Sequence, residues 1–421
     1  RMTPAFLNPN LRDVPQSATL AINQRSLALQ AEGLEIYRFG LGQSPFPVPD
    51  SVVSALEQYA AEKDYLPVEG LPALREAVAG FHRRVDLVDI QAQGVLVGPG
   101  SKELMFLLQL AYNAQLVVPT PCWVSYGPQT RMLGKPVQSI LTRRGNGYRL
   151  QAEELERVCQ ATESGQKLLI LNNPSNPSGS VHHAQELQEL AEVCRQHHVI
   201  VIADEVYALV NFSDRPFVGM ATLYPEGTVV TSGLSKAFSA GGWRLRVALL
   251  PEAMTDLAQP WGALVSETFS CTSAPIQYAA IPAFAEYEKL RQEVEHCVAI
   301  HRAATKGMWQ TLLGIGLNCP EPEGAFYLFP DFEPFREQLA SRNIRTSNDL
   351  ATRLLEDAKV AVLPGAAFYM LPGHLSVRLS PVDYNGNALQ AGTDFDAMFP
   401  KMAEAVQRIG VFSVSEISEP R

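Results

Sequence analysis

Between Gly94 and Thr231, short apolar runs alternate with helical patterns, and this alternation constrains the fold more than any other feature of the chain. Val95–Val97 precedes a helical pattern from Ser101, Leu116–Val118 precedes one from Val124, and Lys167–Leu171 precedes one over Ala184–His198. Val199–Ala203 and Thr228–Thr231 continue the series. Runs this short and this uniformly apolar suit strands buried on both faces, and parallel strands of that kind need crossover helices between them. The pattern predicts an α/β fold with a mostly parallel central sheet sandwiched by helices, whose ligand binds in the loops beyond the carboxyl ends of the strands. A chain of 421 residues with 46% hydrophobic content is long enough for a large core and for a second domain.

The second domain announces itself after about Ala285. A long helical segment over Tyr287–Leu313 is followed by strand patterns at Ala325–Phe329, Val360–Leu363 and Leu375–Leu379 with helices between, which reads as a smaller α+β unit. At the other end, residues 1 to about 45 show little periodicity, and the Pro/Gly-rich stretch Phe39–Pro49 reads as an extended arm. Asp50 or Ser51 can cap a helix through Tyr59. Leu71–Arg84 has Pro72 near its first helical position and Leu74, Ala77, Val78 and Phe81 on one face, an amphipathic helix. The expected division is an N-terminal arm with part of the small domain (1–48), a large domain (49–285) and a small C-terminal α+β domain (286–421).

The formal charge of -10, with Lys and Arg spread along the chain, argues against nucleic acid as a partner. The 6 cysteines lie far apart without Cys-x-x-Cys or histidine at ligand spacing, so reduced, mostly buried thiols are expected and no metal site is. No apolar run reaches membrane length and the start lacks a charged head followed by an apolar block. A soluble, cytoplasmic protein without a membrane partner is the expectation.

Several strand ends carry residues with chemical potential. Lys236 follows Val229–Val230 and sits among Ser, Gly and Ala. A lone lysine is ordinarily a solvated charge, but one in such surroundings is a candidate nucleophile, because a partly desolvated ammonium loses its proton more easily and can form a Schiff base. Gly98-Pro-Gly-Ser-Lys102 opens a helix, where Gly100, Ser101 and Lys102 suit a phosphate. Such a turn alone is more often a plain connection, and it is not a Walker loop. Asn172–Gly179 is a denser run of Asn, Pro and Gly than a generic turn needs. Asp204-Glu-Val-Tyr207 puts an acid at a buried strand end, where capping a loop is as good a reading as chemistry. Trp123 follows a strand, a place where tryptophan is more often core. Arg378 lies on an apolar strand and requires an anionic partner there, either a structural ion pair or a bound carboxylate.

Together these segments resemble the fold-type I pyridoxal-phosphate (PLP) enzymes, the class I/II aminotransferases. Ser-Leu-Ser-Lys236-Ala with the later Gly-Trp-Arg244 is similar to the family's lysine segment, and Asn173-Pro-Ser-Asn176-Pro-Ser-Gly179 is similar to its Asn-Pro-x-Asn-Pro-Thr-Gly signature. Asp204-Glu-Val-Tyr207, Trp123 and the Tyr65…Gly70…Leu74-Arg75 segment match further motifs in order and spacing. The resemblance implies an enzyme that uses PLP to move an α-amino group between an L-amino acid and a 2-oxo acid. It implies that Lys236 holds PLP as a Schiff base and shuttles protons, and that Asp204 pairs with the pyridine nitrogen. Asn176 and Tyr207 would share the 3-hydroxyl and Trp123 would stack on the ring. Gly100, Ser101, Lys102, Ser235 and Arg244 would hold the phosphate. Arg378, with Gly42 and Asn176, would bind the substrate carboxylate. Tyr65 would reach the phosphate of a neighbouring subunit, making the protein a homodimer. The peptide bonds before Pro177 and Pro121 are expected to be cis. Glu205 is expected to face structure.

Two positions depart from the family pattern. Gly233 stands where a phosphate-binding serine is frequent, so that Ser232 or Ser235 must substitute, and Arg246 stands where glycine is usual. Elimination, cyclisation or oxidation of an amino acid on the same scaffold is the alternative reading. A ligand-sensing regulator is disfavoured by the unpatterned arm. A nicotinamide-dependent Rossmann enzyme is disfavoured because no Gly-x-Gly-x-x-Gly opens a helix after the first strand.

Overall fold

The computed structural model describes residues 8–11, 14, 18–161, 165–389 and 394–415. Among the described residues there are eleven strands: β1 (Tyr37–Arg38), β2 (Val95–Gly98), β3 (Ala114–Thr120), β4 (Val137–Leu141), β5 (Gln166–Asn172), β6 (Ile200–Asp204), β7 (Thr228–Gly233), β8 (Arg246–Leu249), β9 (Val360–Ala361), β10 (Leu363–Pro364) and β11 (Val377–Arg378). Seven of them form one sheet in the order β2-β8-β7-β6-β5-β3-β4. The pairs among β4, β3, β5, β6 and β7 are parallel, whereas β8 runs antiparallel to both β2 and β7. The mostly parallel sheet expected from the sequence is therefore present.

Successive side chains alternate between the two faces and build two cores. One face, with Val97, Val117, Leu169, Val201, Val230 and Val247, packs in a cluster with residues of helices Pro72–Val85, Ala184–Gln196 and Ala274–Ala285. The other, with Leu96, Val118, Ile170, Ile202, Val229 and Ala248, packs with helices Ser101–Ala111 and Ala258–Ser266. A further core gathers Tyr37, Phe39 and Phe46 with Leu350, Leu354, Met402 and Val406. Helix Tyr287–Gly314 joins the two regions: Tyr287, Leu290 and Val294 belong to the sheet core, and Ile300, Ala304, Met308 and Leu312 to the other. No helix among the described residues is long and apolar enough to cross a membrane.

The structure corrects the sequence reading in five places. Residues Ala18–Ala31, read as unpatterned, form an α-helix whose apolar residues do not gather on one side, which removes the periodic signal. The helix at Asp50–Tyr59 includes Asp50 and follows Pro49, so neither Asp50 nor Ser51 is its cap. Ala325–Phe329 is not a continuous strand: Ala325 has φ +57, and the segment contributes only a bridge at Leu328, beside another at Gly324. Val360–Leu363 splits into β9, parallel to β1, and β10, antiparallel to β11. Strands β4 and β8 were not foreseen, β8 because a direct antiparallel return needs no crossover helix to mark it.

Candidate functional site

The carboxyl ends of the parallel strands open into one cavity, lined by Ser101, Lys102, Trp123, Asn176, Asp204, Tyr207, Ser235, Lys236, Arg244, Arg378 and Gly42 among others. Eleven of the thirteen positions singled out from the sequence thus meet. Gly100 stands just behind Arg244, and Tyr65, 91% exposed, is not part of the cavity of its own chain.

Lys236 lies in the loop that leaves β7. Its Nζ donates to the Gly42 carbonyl at 2.6 Å and lies 5.5 Å from the centre of the Tyr207 ring and 5.6 Å from that of Phe326. Burial, then the charges of Arg246 and Arg378, bring its pKa down to about 7, against the opposite pull of Asp204. A large fraction of the amine is therefore neutral near neutral pH and able to attack a carbonyl.

Asp204 closes β6 and is 4% exposed. The Tyr126 hydroxyl donates to one carboxylate oxygen at 2.7 Å and the Thr231 hydroxyl to the other at 3.2 Å. Thr231 can do so because it is the register partner of Asp204 on β7. The Tyr126 phenol is held well above its ordinary pKa by burial and by the Asp204 charge, so it remains a donor.

The loop after β5 is fixed by its own amides. The Asn172 side chain accepts from the Asn176 N–H at 2.6 Å and donates to the Asp204 carbonyl at 2.8 Å. Asn176–Pro177 and Thr120–Pro121 are cis, as expected, and so is Asn173–Pro174. Asn176 Oδ1 accepts from Arg378 at 3.0 Å, and the other terminal nitrogen of Arg378 donates to the Gly40 carbonyl at 2.6 Å. The guanidinium carbon lies 4.6 Å from the Tyr327 ring centre and 5.0 Å from that of Phe368. Arg378 is 2% exposed, its Nε has no partner, and no carboxylate pairs with it among the described residues. The structural ion pair weighed for Arg378 is thus not what the fold builds. Tyr207 and Tyr327 share a hydroxyl–hydroxyl hydrogen bond of 2.5 Å. Gly42 is small because a Cβ would come within 2.0 Å of the Tyr327 hydroxyl.

At the far end, helix Ser101–Ala111 starts after Gly100, whose φ is +118 and whose Cβ would meet an Arg244 nitrogen at 2.2 Å. Arg244, itself left-handed at φ +57, donates to the Gly241 carbonyl at 3.0 Å. Lys102 lies 5.8 Å from the Trp123 ring centre, and burial and the Arg244 charge lower its pKa.

The wall thus carries the guanidinium groups of Arg244, Arg246 and Arg378 and the amines of Lys102 and Lys236, together with the carboxylate of Asp204. Unpartnered guanidinium nitrogens on Arg246 and Arg378 and the glycine that lets Arg244 approach the helix start fit a ligand with more than one anionic group. PLP carries an aromatic ring, a ring nitrogen that can be protonated, a phosphate and a carbonyl, and a lining that combines Trp123, Asp204, these guanidinium groups and the Lys236 amine fits such a group. No cluster of His, Cys, Asp or Glu suited to a metal ion occurs among the described residues.

Four residues of the site escaped the sequence reading. Asn172 lay inside the Asn172–Gly179 run without a role, and the position of Tyr126 three residues after Trp123 was the available signal. Thr231 needed the β6–β7 register, and Tyr327 needed the irregular path of its segment. Ser232 does not line the cavity, whereas Ser235 does.

Residues 35–389 match the family Aminotransferase class I and II. The aspartate aminotransferase of Geobacillus stearothermophilus is 34% identical over 369 residues, covering 84% of this chain and 89% of that protein. A probable aspartate/prephenate aminotransferase of Aquifex aeolicus (strain VF5) is 31% identical, with 84% and 89% covered. The solved aspartate aminotransferase from Thermus thermophilus with maleate superposes with a TM-score of 0.85 at 27% identity, covering 96% of this chain and 98% of that one.

Proposed function

From the premise that the chain belongs to the class I and II aminotransferase family and is a PLP-dependent aminotransferase, we propose that Lys236, Asp204 and Arg378 are its amine, its ring-nitrogen acid and its substrate clamp. Arg378 carries the reading: a buried arginine with aromatic rings around it and no carboxylate partner among the described residues awaits an anion, and the cavity it lines also contains Lys236. The bound cofactor supplies the carbonyl that receives the amino group and the ring that withdraws electrons from it.

Arg378 takes the α-carboxylate in its planar fork, with Asn176 holding one side of that fork and Gly42 leaving room. That anchoring orients the substrate Cα–H toward Lys236. The neutral Lys236 Nζ removes the Cα proton and later returns one, a task suited to an amine whose pKa lies near the working pH. Asp204, oriented by Tyr126 and Thr231, keeps the proton on the ring nitrogen. Asn176 and Tyr207 address the ring hydroxyl, Trp123 stacks, and Gly100, Ser101, Lys102, Ser235 and Arg244 take the phosphate. Tyr65 completes the phosphate site of a second copy in a homodimer; its exposed ring supports that role.

Residues 49–285 form the large domain, and 1–48 with 286–421 the small one. Val52 packs on the sheet core and Phe46 in the other, which supports a boundary between them. The names of the relatives make L-aspartate the first donor to try. Purified protein is loaded with PLP and given L-aspartate, L-glutamate and neutral amino acids in turn, and oxo acid, ammonia and pyridoxamine phosphate are measured. The reading requires one oxo acid per cofactor converted, without ammonia. Ammonia released in step with amino-acid loss would replace transamination by elimination.

A further inference from the structure

The two positions that depart from the family pattern form one feature in the fold. Arg246 opens β8 and is the register partner of Gly233 on one side and of Gly98 on the other. Its side chain runs over Gly233: a Cβ at that position would lie 2.4 Å from Arg246 Cδ. The arginine thus occupies the space that any side chain at position 233 would need. It is 4% exposed, its Nε and one terminal nitrogen have no hydrogen-bond partner, and no carboxylate pairs with it among the described residues. A buried guanidinium with open N–H donors is unfavourable by itself, because the charge of Asp204 offsets only part of the hydration it has lost. Its positive charge also acts on the groups that line the same cavity.

Lys236 is the group so affected. The charges that act on it come from four places: Arg246 on β8, Arg244 in the loop before it, Arg378 on β11 and Asp204 on β6, with the Tyr207 ring against the amine. Lys102 and Tyr327 line the same cavity. Arg378 is bound to Asn176 and Gly40, and Arg244 to Gly241. Among the charges, that of Arg246 weighs most on the lysine. We propose that Arg246, admitted to the cavity by Gly233, is a positioning residue that holds the Lys236 amine in its neutral, nucleophilic form.

The inference rests on Lys236 being the cofactor-bearing amine, and its test separates the two claims. Wild type, Arg246→Met, Arg246→Gln and Arg246→Lys are prepared with and without PLP. In the loaded proteins the visible absorption of the cofactor is titrated with pH. Without cofactor, the rate at which an amine-directed acylating reagent modifies Lys236 at pH 7 is read by peptide mass mapping. Removal of the charge in Met or Gln is expected to raise the titration midpoint by about one pH unit and to slow acylation several-fold, up to about tenfold. Arg246→Lys is expected to stay close to wild type in both. Midpoints and acylation rates that do not move, or that move the other way, would overturn the proposal. So would unmoved midpoints with a raised KM for dicarboxylic substrates alone, which would make Arg246 a substrate ligand instead. A wild type without a visible band would defeat the cofactor assignment, and the acylation rates would still decide the effect of Arg246 on the lysine.

Discussion

Asp204 and Glu205 are consecutive buried carboxylates at the end of one strand, and they serve opposite sides of the sheet. Asp204 meets the hydroxyls of Tyr126 and Thr231 and shares a cavity with three guanidinium groups and two lysine amines. Glu205, 3% exposed, accepts the Met220 N–H at 3.0 Å through one oxygen, while the other has no partner. Burial, reinforced by the charge of Asp86, pushes its pKa up to about 8. The contrast teaches that burial of an acid does not define a site. One carboxylate has donors and cations arranged around its charge; its neighbour is held in a form that avoids charge.

Breaking the comparison on the cavity side has the largest expected effect. Asp204→Asn removes the charge proposed to keep the ring nitrogen of the cofactor protonated, and kcat is expected to fall by about 10²-fold or more. Steady-state transamination with the best donor measures it, and a loss of less than about threefold would dissolve the distinction between the two acids. Tyr126→Phe is intermediate. It removes one hydrogen bond to a charged acceptor, worth about 1.5–3 kcal/mol, so kcat should drop roughly ten- to a hundredfold while the fold persists by circular dichroism.

Glu205→Gln should be the mildest for activity, with kcat within about twofold of wild type. Its effect is on stability and depends on pH. The folded pKa of Glu205 lies above its unfolded value, so the wild type loses stability as pH rises from about 4.5 through about 8. The Gln variant lacks that loss. Denaturant midpoints should therefore coincide near pH 4 and separate in favour of the variant by pH 9, by on the order of 1–3 kcal/mol. A separation that grows toward low pH would reverse the assignment of Glu205.

The same contrast marks what the sequence could disclose. Asp204 and Glu205 are equally acidic and equally placed after an apolar run, so only the resemblance to known aminotransferases separated them before the fold was known. The parallel strands were legible because each is a continuous apolar run followed by a helix. Lys236 and Arg378 stood out because their residue types are costly or unusual where they stand, whereas Asn176 was singled out only through the resemblance. Thr231 was not, because its role arises from the β6–β7 register, a relation between segments that local pattern does not encode. Helix Ala18–Ala31 was hidden by apolar residues that lie on no single face. Gly233 and Arg246 could be seen as departures, but that one makes room for the other required the β7–β8 pairing.

The central claim is that Lys236 is the amine through which this enzyme holds its cofactor, and borohydride reduction of the loaded protein tests it most directly. Reduction followed by proteolysis and mass mapping should place the phosphopyridoxyl group on Lys236, and Lys236→Ala should show neither that adduct nor the visible band. A phosphopyridoxyl group on another lysine, or an undiminished band in Lys236→Ala, would contradict the account.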